Sequence, residues 1–176
     1  EVSLKNVEES SRWYPGAGIY RPVKLVLTPK VYIDEWSLFC RTMTISQDKA
    51  ELQIDMDVEQ AADGIRYAFS LLDADGVEVA AIKPTDSNQK NSINAKLMVK
   101  EPKLWSPESP YLYKLVARLT TEDSRIEDEK TVNVGIRTAR VSKEHGFQLN
   151  GQTRKIKGVC LHHDLGPLGA AVNKAA

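Results

Sequence analysis

The chain is 176 residues long, and its 24 lysines and arginines balance its 24 aspartates and glutamates. That length suits one domain, or one domain with pieces of its neighbours. The charge balance gives no indication of binding to nucleic acid or to an anionic membrane surface, and no apolar run is long enough to span a membrane. The sequence shows no metal-ligand spacing, so we expect no metal site, and we expect no cofactor.

Two cysteines, Cys40 and Cys160, lie far apart, each within an apolar run. We expect both to be buried free thiols. The chain opens with Glu1-Val2-Ser3, which has neither the basic start nor the apolar core of a signal peptide. For a piece of a longer protein, that absence carries no information about secretion.

The first distinctive segment covers residues 12–23 and reads R-W-Y-P-G-A-G-I-Y-R-P-V. Its proline and two glycines, at positions 15, 16 and 18, force a turn-rich path that few side chains could follow. We expect Trp13 and Tyr14 to form a hydrophobic plug under a loop. Stacking of their rings on a sugar is the alternative.

Beyond a domain boundary at residues 29–30, the pattern is that of strands and turns. The clearest strand covers residues 50–58, where apolar and polar side chains alternate without a break. Strict period two indicates one buried face and one solvated face. Asp75-Gly76 predicts a tight hairpin, and the polar residues 83–90 predict a loop. Further strands are predicted around residues 36–41, 67–71, 77–79, 93–99, 111–119 and 132–136.

These segments amount to about seven strands between residues 34 and 138, which predicts an all-β fold. Alternating strands can bury their apolar faces when two sheets face each other. The spacing is typical of an immunoglobulin-like β-sandwich of antiparallel strands. No 3.6-residue apolar period persists in this span, so little helix is expected.

Residues 104–113 read L-W-S-P-E-S-P-Y-L-Y. Pro107 and Pro110 exclude a helix here and restrict the residues before them to extended geometry. A tyrosine just after such a corner, leading into a long strand, is typical of the tyrosine corner of immunoglobulin-like sandwiches.

A hairpin is predicted near the end of the chain, where residues 147–151 read F-Q-L-N-G. Asn150-Gly151 is the strongest two-residue hairpin signal, because a type I′ turn needs a positive φ at both central positions. The return arm runs through residues 153–157.

The apolar run at residues 159–161 follows the hairpin and ends in His162-His163-Asp164. A buried strand that ends abruptly in imidazoles and a carboxylate is the pattern expected where a parallel barrel strand opens onto an active site. A hairpin followed by a polar loop is the alternative.

Three of these segments together resemble one family, glycoside hydrolase family 2, which includes β-galactosidases, β-glucuronidases and β-mannosidases. The matching patterns are R-W-Y-P-G-x-G-I-Y-R, L-W-S-P-E-x-P-x-L-Y, and F-x-L-N-G followed by K-G-V-x-x-H-H-D-x-G-x-L-G-A-A. The resemblance implies a jelly-roll domain, an immunoglobulin-like sandwich and a catalytic (β/α)8 barrel, in that order. Residues 1–29 are then expected to end the jelly-roll domain, residues 30–138 to form the sandwich, and residues 139–176 to form the entry hairpin and first strand of the barrel.

The resemblance also implies a chemistry. Members of the family are retaining glycosidases that use two glutamates on later barrel strands, one as acid/base and one as nucleophile. We expect those strands beyond Ala176, so the chain alone should be inactive. Asp164 matches an aspartate that contacts the non-reducing sugar in β-glucuronidase-like members, although His163 stands where their pattern has glutamate. Asp164 is therefore the leading substrate-binding candidate, followed by His162 and His163; a structural role at the top of the barrel is the alternative for His162.

Glu108 could be considered as a catalytic acid, but a glycosidase needs a second carboxyl group about 5–10 Å away in a cleft. The sequence places no such partner near it, so we expect a turn carboxylate. The expected partner of the full-length enzyme is a carbohydrate substrate, with no nucleic acid and no membrane. The alternative function is an autonomous immunoglobulin-like module that binds carbohydrate or another partner.

Overall fold

The computed structural model describes residues 3–5, 19, 22–88 and 91–160. One compact unit is Leu27–Ile156, and a second unit is made by Glu1–Val26 and Lys157–Ala176. The described residues of the second unit carry no strand or helix. Trp13 and Tyr14, for which a plug under a loop was predicted, lie outside the described residues. Across the described ranges there is no helix with the length and apolar character needed to cross a membrane.

Antiparallel strands supply the regular secondary structure of the described residues. Alternating apolar residues and tight turns produce this arrangement, because each turn brings the next apolar face beside the previous one. In chain order the strands are β1 Tyr32–Ile33, β2 Phe39–Ile45, β3 Lys49–Glu59, β4 Arg66–Leu72, β5 Glu78–Asp86, β6 Ser92–Lys100, β7 Tyr113–Thr120, β8 Ile126–Val134, β9 Ala139–Ser142, β10 Gly146–Leu149 and β11 Gln152–Thr153.

Two four-stranded sheets form a sandwich. In the first sheet β3 is central: β2 pairs with residues 50–55, β6 pairs with residues 49–57, and β1 pairs with the end of β3. The second sheet has the order β5-β4-β7-β8. The division into β2-β3-β6 and β5-β4-β7-β8 is the topology of an immunoglobulin-like sandwich. The all-β, immunoglobulin-like fold predicted from the sequence is therefore confirmed.

The core lies between the two sheets and follows the alternation seen in the sequence. Burying each large apolar side chain contributes roughly 1.5–3 kcal/mol, so the inward faces of the central strands account for much of the stability. On β3 the inward residues are at most 1% exposed, and the facing residues of β4 and β7 are fully buried. These are Ala50, Leu52, Ile54, Met56 and Val58 on β3, Phe69 and Leu71 on β4, and Leu115, Ala117 and Leu119 on β7.

The prediction of a loop over residues 83–90 was wrong for its first half, because β5 runs from Glu78 to Asp86. Proline cannot donate to a sheet ladder, so it is tolerated in edge strands and at bulges. Both conditions hold at Pro84: β5 is the edge of its sheet, and its pairing with β4 shifts register between Tyr67 and Phe69. The strand therefore continues through the proline.

The last sandwich strand is longer than predicted, because β8 begins at Ile126 and not near residue 132. Its first half lacks apolar alternation, since Asp128 lies opposite Leu119 and Lys130 lies opposite Ala117 on the inward side. Both charged side chains have partners in β1 or just after it. Asp128 Oδ2 accepts a 2.8 Å hydrogen bond from the Ile33 N–H, and Lys130 pairs with Glu35.

Phe69→Ala should reduce the free energy of unfolding by about 3–5 kcal/mol, because it removes a fully buried ring and leaves a cavity. Ile54→Val, at an equally buried site, should cost only about 0.5–1.5 kcal/mol. Urea denaturation measures both losses, with the slope m unchanged. As a control, Val141→Ala at a residue that is 80% exposed should stay within about 0.5 kcal/mol. Equal losses for Phe69→Ala and Val141→Ala would contradict this placement of the core.

Candidate functional site

The three residues predicted to contact substrate, His162, His163 and Asp164, lie outside the described residues, so their assignment stays a prediction. The structure does describe the hairpin that precedes them and the surface of the sandwich that holds it. We call this contact region the junction, and it consists of Trp105, Glu108, residues 135–138, Asn150 and Arg154.

The turn of the hairpin is as predicted, but its return arm is shorter than the predicted 153–157, because β11 covers only Gln152–Thr153. Strands β9, β10 and β11 form a three-stranded antiparallel sheet, and the turn between β10 and β11 has φ of 51° at Asn150 and 77° at Gly151. Positive φ at both positions defines the type I′ turn that the Asn-Gly pair favours. The Gln148 side chain donates a 3.3 Å hydrogen bond to the Gly151 carbonyl and closes the turn.

Asn150 connects the hairpin to two other segments. Its N–H donates to the Thr138 carbonyl at 2.9 Å, and its Oδ1 accepts from the Thr138 N–H at 3.0 Å. Its Nδ2 donates to the Trp105 carbonyl at 3.0 Å, across 45 residues of sequence. One side chain therefore satisfies backbone groups that would otherwise remain partly buried without partners.

Next to the hydrogen bond between Asn150 and Trp105, Trp105 packs closely against residues 135–137. The Trp105 N–H donates to the Ile136 carbonyl at 2.9 Å, and the Arg137 guanidinium lies 5.0 Å from the centre of the Trp105 ring. The approach at Gly135 is so tight that an added Cβ would lie 3.1 Å from the Trp105 Cβ. A side chain at residue 135 would push Trp105 and Arg137 away by a few tenths of an ångström, and the cation–π contact keeps the indole against the backbone.

An ion pair adds a second connection. Arg154, which follows β11, donates to a Glu108 carboxylate oxygen at 2.5 Å. Glu108 lies in a turn in which Ser106 and Ser109 exchange backbone hydrogen bonds of 3.0 and 3.1 Å, so its predicted turn position is confirmed. The hydrogen bond from Arg154 is the main cause that lowers the pKa of Glu108 to about 2. Sequence reasoning missed Arg154, because a partner 46 residues away leaves no local pattern.

The contacts of the junction are structural. The described residues place no metal-ligating cluster and no reactive thiol around it. No cluster of three metal-ligating side chains occurs within the ranges that the structure describes. Burial is the main cause that raises the pKa of the Cys40 thiol to about 12, so Cys40 is an unreactive, half-buried free thiol. Cys160 is a free thiol as well, but it is exposed, so the prediction of burial was wrong there.

Asn150→Ala should lower the free energy of unfolding by about 1–3 kcal/mol, because it leaves the Trp105 carbonyl and the Thr138 N–H without their partner. Asn88→Ala is the matched control, since Asn88 has a similar φ of 50° and its hydrogen bonds within the described part of the chain go to the nearby Asp86. Its loss should stay within about 1 kcal/mol. Thermal and urea unfolding measure both, and equal losses would show that backbone strain, not the bridge, decides the stability at Asn150.

The Glu108 carboxyl group should titrate with a midpoint near the pKa of about 2. A depressed pKa means that the ion pair stabilises the fold above the ordinary value of 4.5 and that this contribution is lost as the pH falls through about 2. A carbon-detected NMR titration of the side chain measures this midpoint. Arg154→Gln should return the midpoint towards 4.5, whereas Arg154→Lys should keep it depressed. A midpoint unchanged by Arg154→Gln would contradict the pairing.

Comparison with known proteins agrees with the fold. The sequence pattern of glycosyl hydrolases family 2 matches residues 31–137. The chain is 38% identical to a β-galactosidase of Bacteroides ovatus over 99% of the chain and 21% of that protein. It is 39% identical to a putative β-glucuronidase of Formosa agariphila over 96% of the chain and 16% of that protein. The chain thus spans about a fifth of the length of these curated relatives.

Solved structures give the same result. A family 2 glycosyl hydrolase from Bacteroides cellulosilyticus superposes with a TM-score of 0.85 at 36% identity, over 95% of this chain and 24% of that one. A β-glycosidase from Bacteroides vulgatus superposes with a TM-score of 0.79 at 33% identity, over 92% of this chain and 20% of that one. With the family pattern covering the sandwich from β1 to the junction, the chain belongs to glycosyl hydrolases family 2.

Proposed function

We propose that the chain is the non-catalytic sandwich portion of a retaining glycoside hydrolase, and that it supports the start of the catalytic barrel. The observation that carries this proposal is the junction, in which the sandwich holds the entry hairpin by the Asn150 bridge and the Glu108–Arg154 pair. Family membership supports the hydrolase, and coverage of about a fifth of each relative supports a portion of it.

The domain assignment that goes with this proposal has three parts. Residues 1–29 end a jelly-roll domain, residues 30–138 form the sandwich, and residues 139–176 contain the entry hairpin and first barrel strand. The hairpin belongs to the same compact unit as the sandwich, Leu27–Ile156, which suits a platform on which the first barrel strand begins.

The proposed mechanism needs residues that this chain does not supply. Two glutamates on later barrel strands, beyond Ala176, act as acid/base and as nucleophile through a glycosyl-enzyme intermediate. Asp164 is the proposed sugar contact, because a carboxylate accepts hydrogen bonds from sugar hydroxyls in fixed directions; His162 and His163 are the secondary candidates. The relatives bear the names β-galactosidase and β-glucuronidase, which supports a β-glycoside as the substrate class.

The junction has a specific role in this scheme. Catalytic groups must be held within about 0.5 Å of their productive positions, which requires rigid elements beneath them. The hairpin is fixed through backbone groups of Trp105 and Thr138. The hairpin is therefore a fixed element of the sandwich unit.

A paired hydrolysis assay tests the proposal on a panel of nitrophenyl glycosides. One sample is this chain, and the other is the natural polypeptide extended before Glu1 and beyond Ala176. We expect cleavage by the extended polypeptide alone, because the two glutamates are absent from the chain. In the extended form, Asp164→Asn should raise KM at least tenfold, whereas the control Asn88→Ala should leave KM unchanged.

Two outcomes of that assay would overturn the proposal. Cleavage by the 176-residue chain would show that the catalytic groups lie within it. Inactivity of both forms on every glycoside would favour the alternative, an autonomous immunoglobulin-like module that binds carbohydrate or another partner.

A further inference from the structure

The turn of the entry hairpin contains the only asparagine–glycine pair in the sequence, Asn150-Gly151. Asparagine followed by glycine is the pair most prone to close into a succinimide, because glycine has no Cβ and leaves its backbone nitrogen open to approach. Gly151 is exposed, and an added Cβ there would meet no atom within 4 Å. The backbone nitrogen and water are therefore both accessible at this turn.

The reaction needs only the chain and water. The Gly151 nitrogen loses its proton and attacks Asn150 Cγ, so that a C–N bond forms. The Cγ–Nδ2 bond breaks, and the carboxamide nitrogen takes up a proton and leaves as ammonia. Water then opens the five-membered succinimide. Opening at the side-chain carbonyl gives aspartate, and opening at the main-chain carbonyl gives isoaspartate, so one water is consumed and one ammonia is released.

The junction restrains the Asn150 carboxamide. Its Nδ2 donates to the Trp105 carbonyl at 3.0 Å, and its Oδ1 accepts from the Thr138 N–H at 3.0 Å. Both ends of the planar amide are therefore held. While the two bonds are intact, the side chain cannot rotate to bring Cγ onto the Gly151 nitrogen. The reaction must wait until the hairpin opens locally, which is a cheaper event than unfolding of the whole sandwich.

Either product removes the contacts that restrained the asparagine. A carboxylate at residue 150 has no N–H to donate, so its oxygens face the Trp105 carbonyl with the same sign of charge and leave it without its donor. Isoaspartate also adds one carbon to the main chain inside a two-residue turn, which is incompatible with the pairing of Leu149 and Gln152. The open hairpin that permits the reaction is thus the form that both products favour.

We infer that Asn150 is a modification site at which deamidation releases the entry hairpin from the sandwich irreversibly. The junction sets the rate, because it keeps the carboxamide out of reach until the hairpin opens. All groups involved belong to the junction or to the turn of the hairpin, so the inference does not depend on the proposed glycosidase.

Peptide mass spectrometry of the 176-residue chain, incubated at neutral pH and sampled over time, tests the restraint. In guanidinium chloride, Asn150 should deamidate faster than every other asparagine, since local sequence alone then decides the rate. In the native chain Asn150 should still be converted, but at least tenfold more slowly. Separation of the aspartyl and isoaspartyl peptides identifies the succinimide route, because direct hydrolysis of the carboxamide yields aspartate alone.

Matched variants separate local opening from global unfolding. Arg154→Gln should speed deamidation of the native chain at least threefold, because the pair with Glu108 is the second connection of the hairpin. Ile54→Val is the control, since it lowers the stability of the whole sandwich at a buried site of β3. It should leave the rate of deamidation within twofold of that of the unchanged chain.

Asn150→Asp supplies the aspartyl product directly. Hydrogen exchange of the amides in β9, β10 and β11 should become at least tenfold faster. The amides of β3, β4 and β7 should keep their protection, which shows that the sandwich is still folded. Asn133→Asp is the control, because it places the same charge at an exposed position of β8 opposite Lys114. It should leave exchange in the hairpin unchanged.

Four results would overturn the inference. Equal rates in the native and denatured chains would show that the junction gives no restraint, and a complete lack of native product would show that the hairpin never opens far enough. Equal acceleration by Arg154→Gln and Ile54→Val would assign the reaction to global unfolding. Unchanged hairpin exchange in Asn150→Asp would show that the product leaves the hairpin in place. None of these measurements involves a glycoside, so their failure is distinguishable from failure of the proposed function.

Discussion

The structure depends on the register of β3. This strand hydrogen-bonds to neighbours on both edges and alternates five buried apolar residues with polar ones over residues 50–58. A slip of one residue would turn Glu51, Gln53 and Asp55 into the core and expose Leu52 and Ile54. The loss of burial would amount to several kcal/mol, comparable with the whole stability of a domain. The polar character of the outer face is therefore a consequence of the same register that builds the core.

The junction inherits its rigidity from that core. Ile136 is fully buried and Leu149 is 5% exposed, so the segments on both sides of the Asn150 bridge are anchored in apolar packing. Hydrogen bonds alone would add only about 0.5–1.5 kcal/mol each, too little to order a free hairpin against its conformational entropy. Here they act on segments that packing has already placed, and they select one orientation of the hairpin.

The parts of the fold that were predictable are those in which one local pattern decides the outcome. Alternation predicted β3, and the Asn150-Gly151 pair predicted the type I′ turn. The edge strands were harder to predict from the sequence, because the side chains at the end of β5 and the start of β8 do not alternate between an apolar core and solvent. Inward-pointing charges such as Asp128 and Lys130 also discourage pairing with another sheet, so a polar sequence there is compatible with a strand. The Glu108–Arg154 pair could not be foreseen, since nothing local connects its partners, and the predicted role of Asp164 remains untested.

Strand β2 contributes both to the solvated outward face of the first sheet and to the junction, and the two contributions are separable. Successive residues of a strand point to opposite faces. Arg41 points outward to Asp55, while Thr42 lies opposite the buried Leu52 and its Oγ1 accepts a 3.3 Å hydrogen bond from the Arg137 N–H. A change at Arg41 therefore removes a group from the outer face and leaves the contact to the junction in place. The pleat of one strand therefore allows a sandwich to support a neighbouring element on one side and to keep a solvated, ion-paired face on the other.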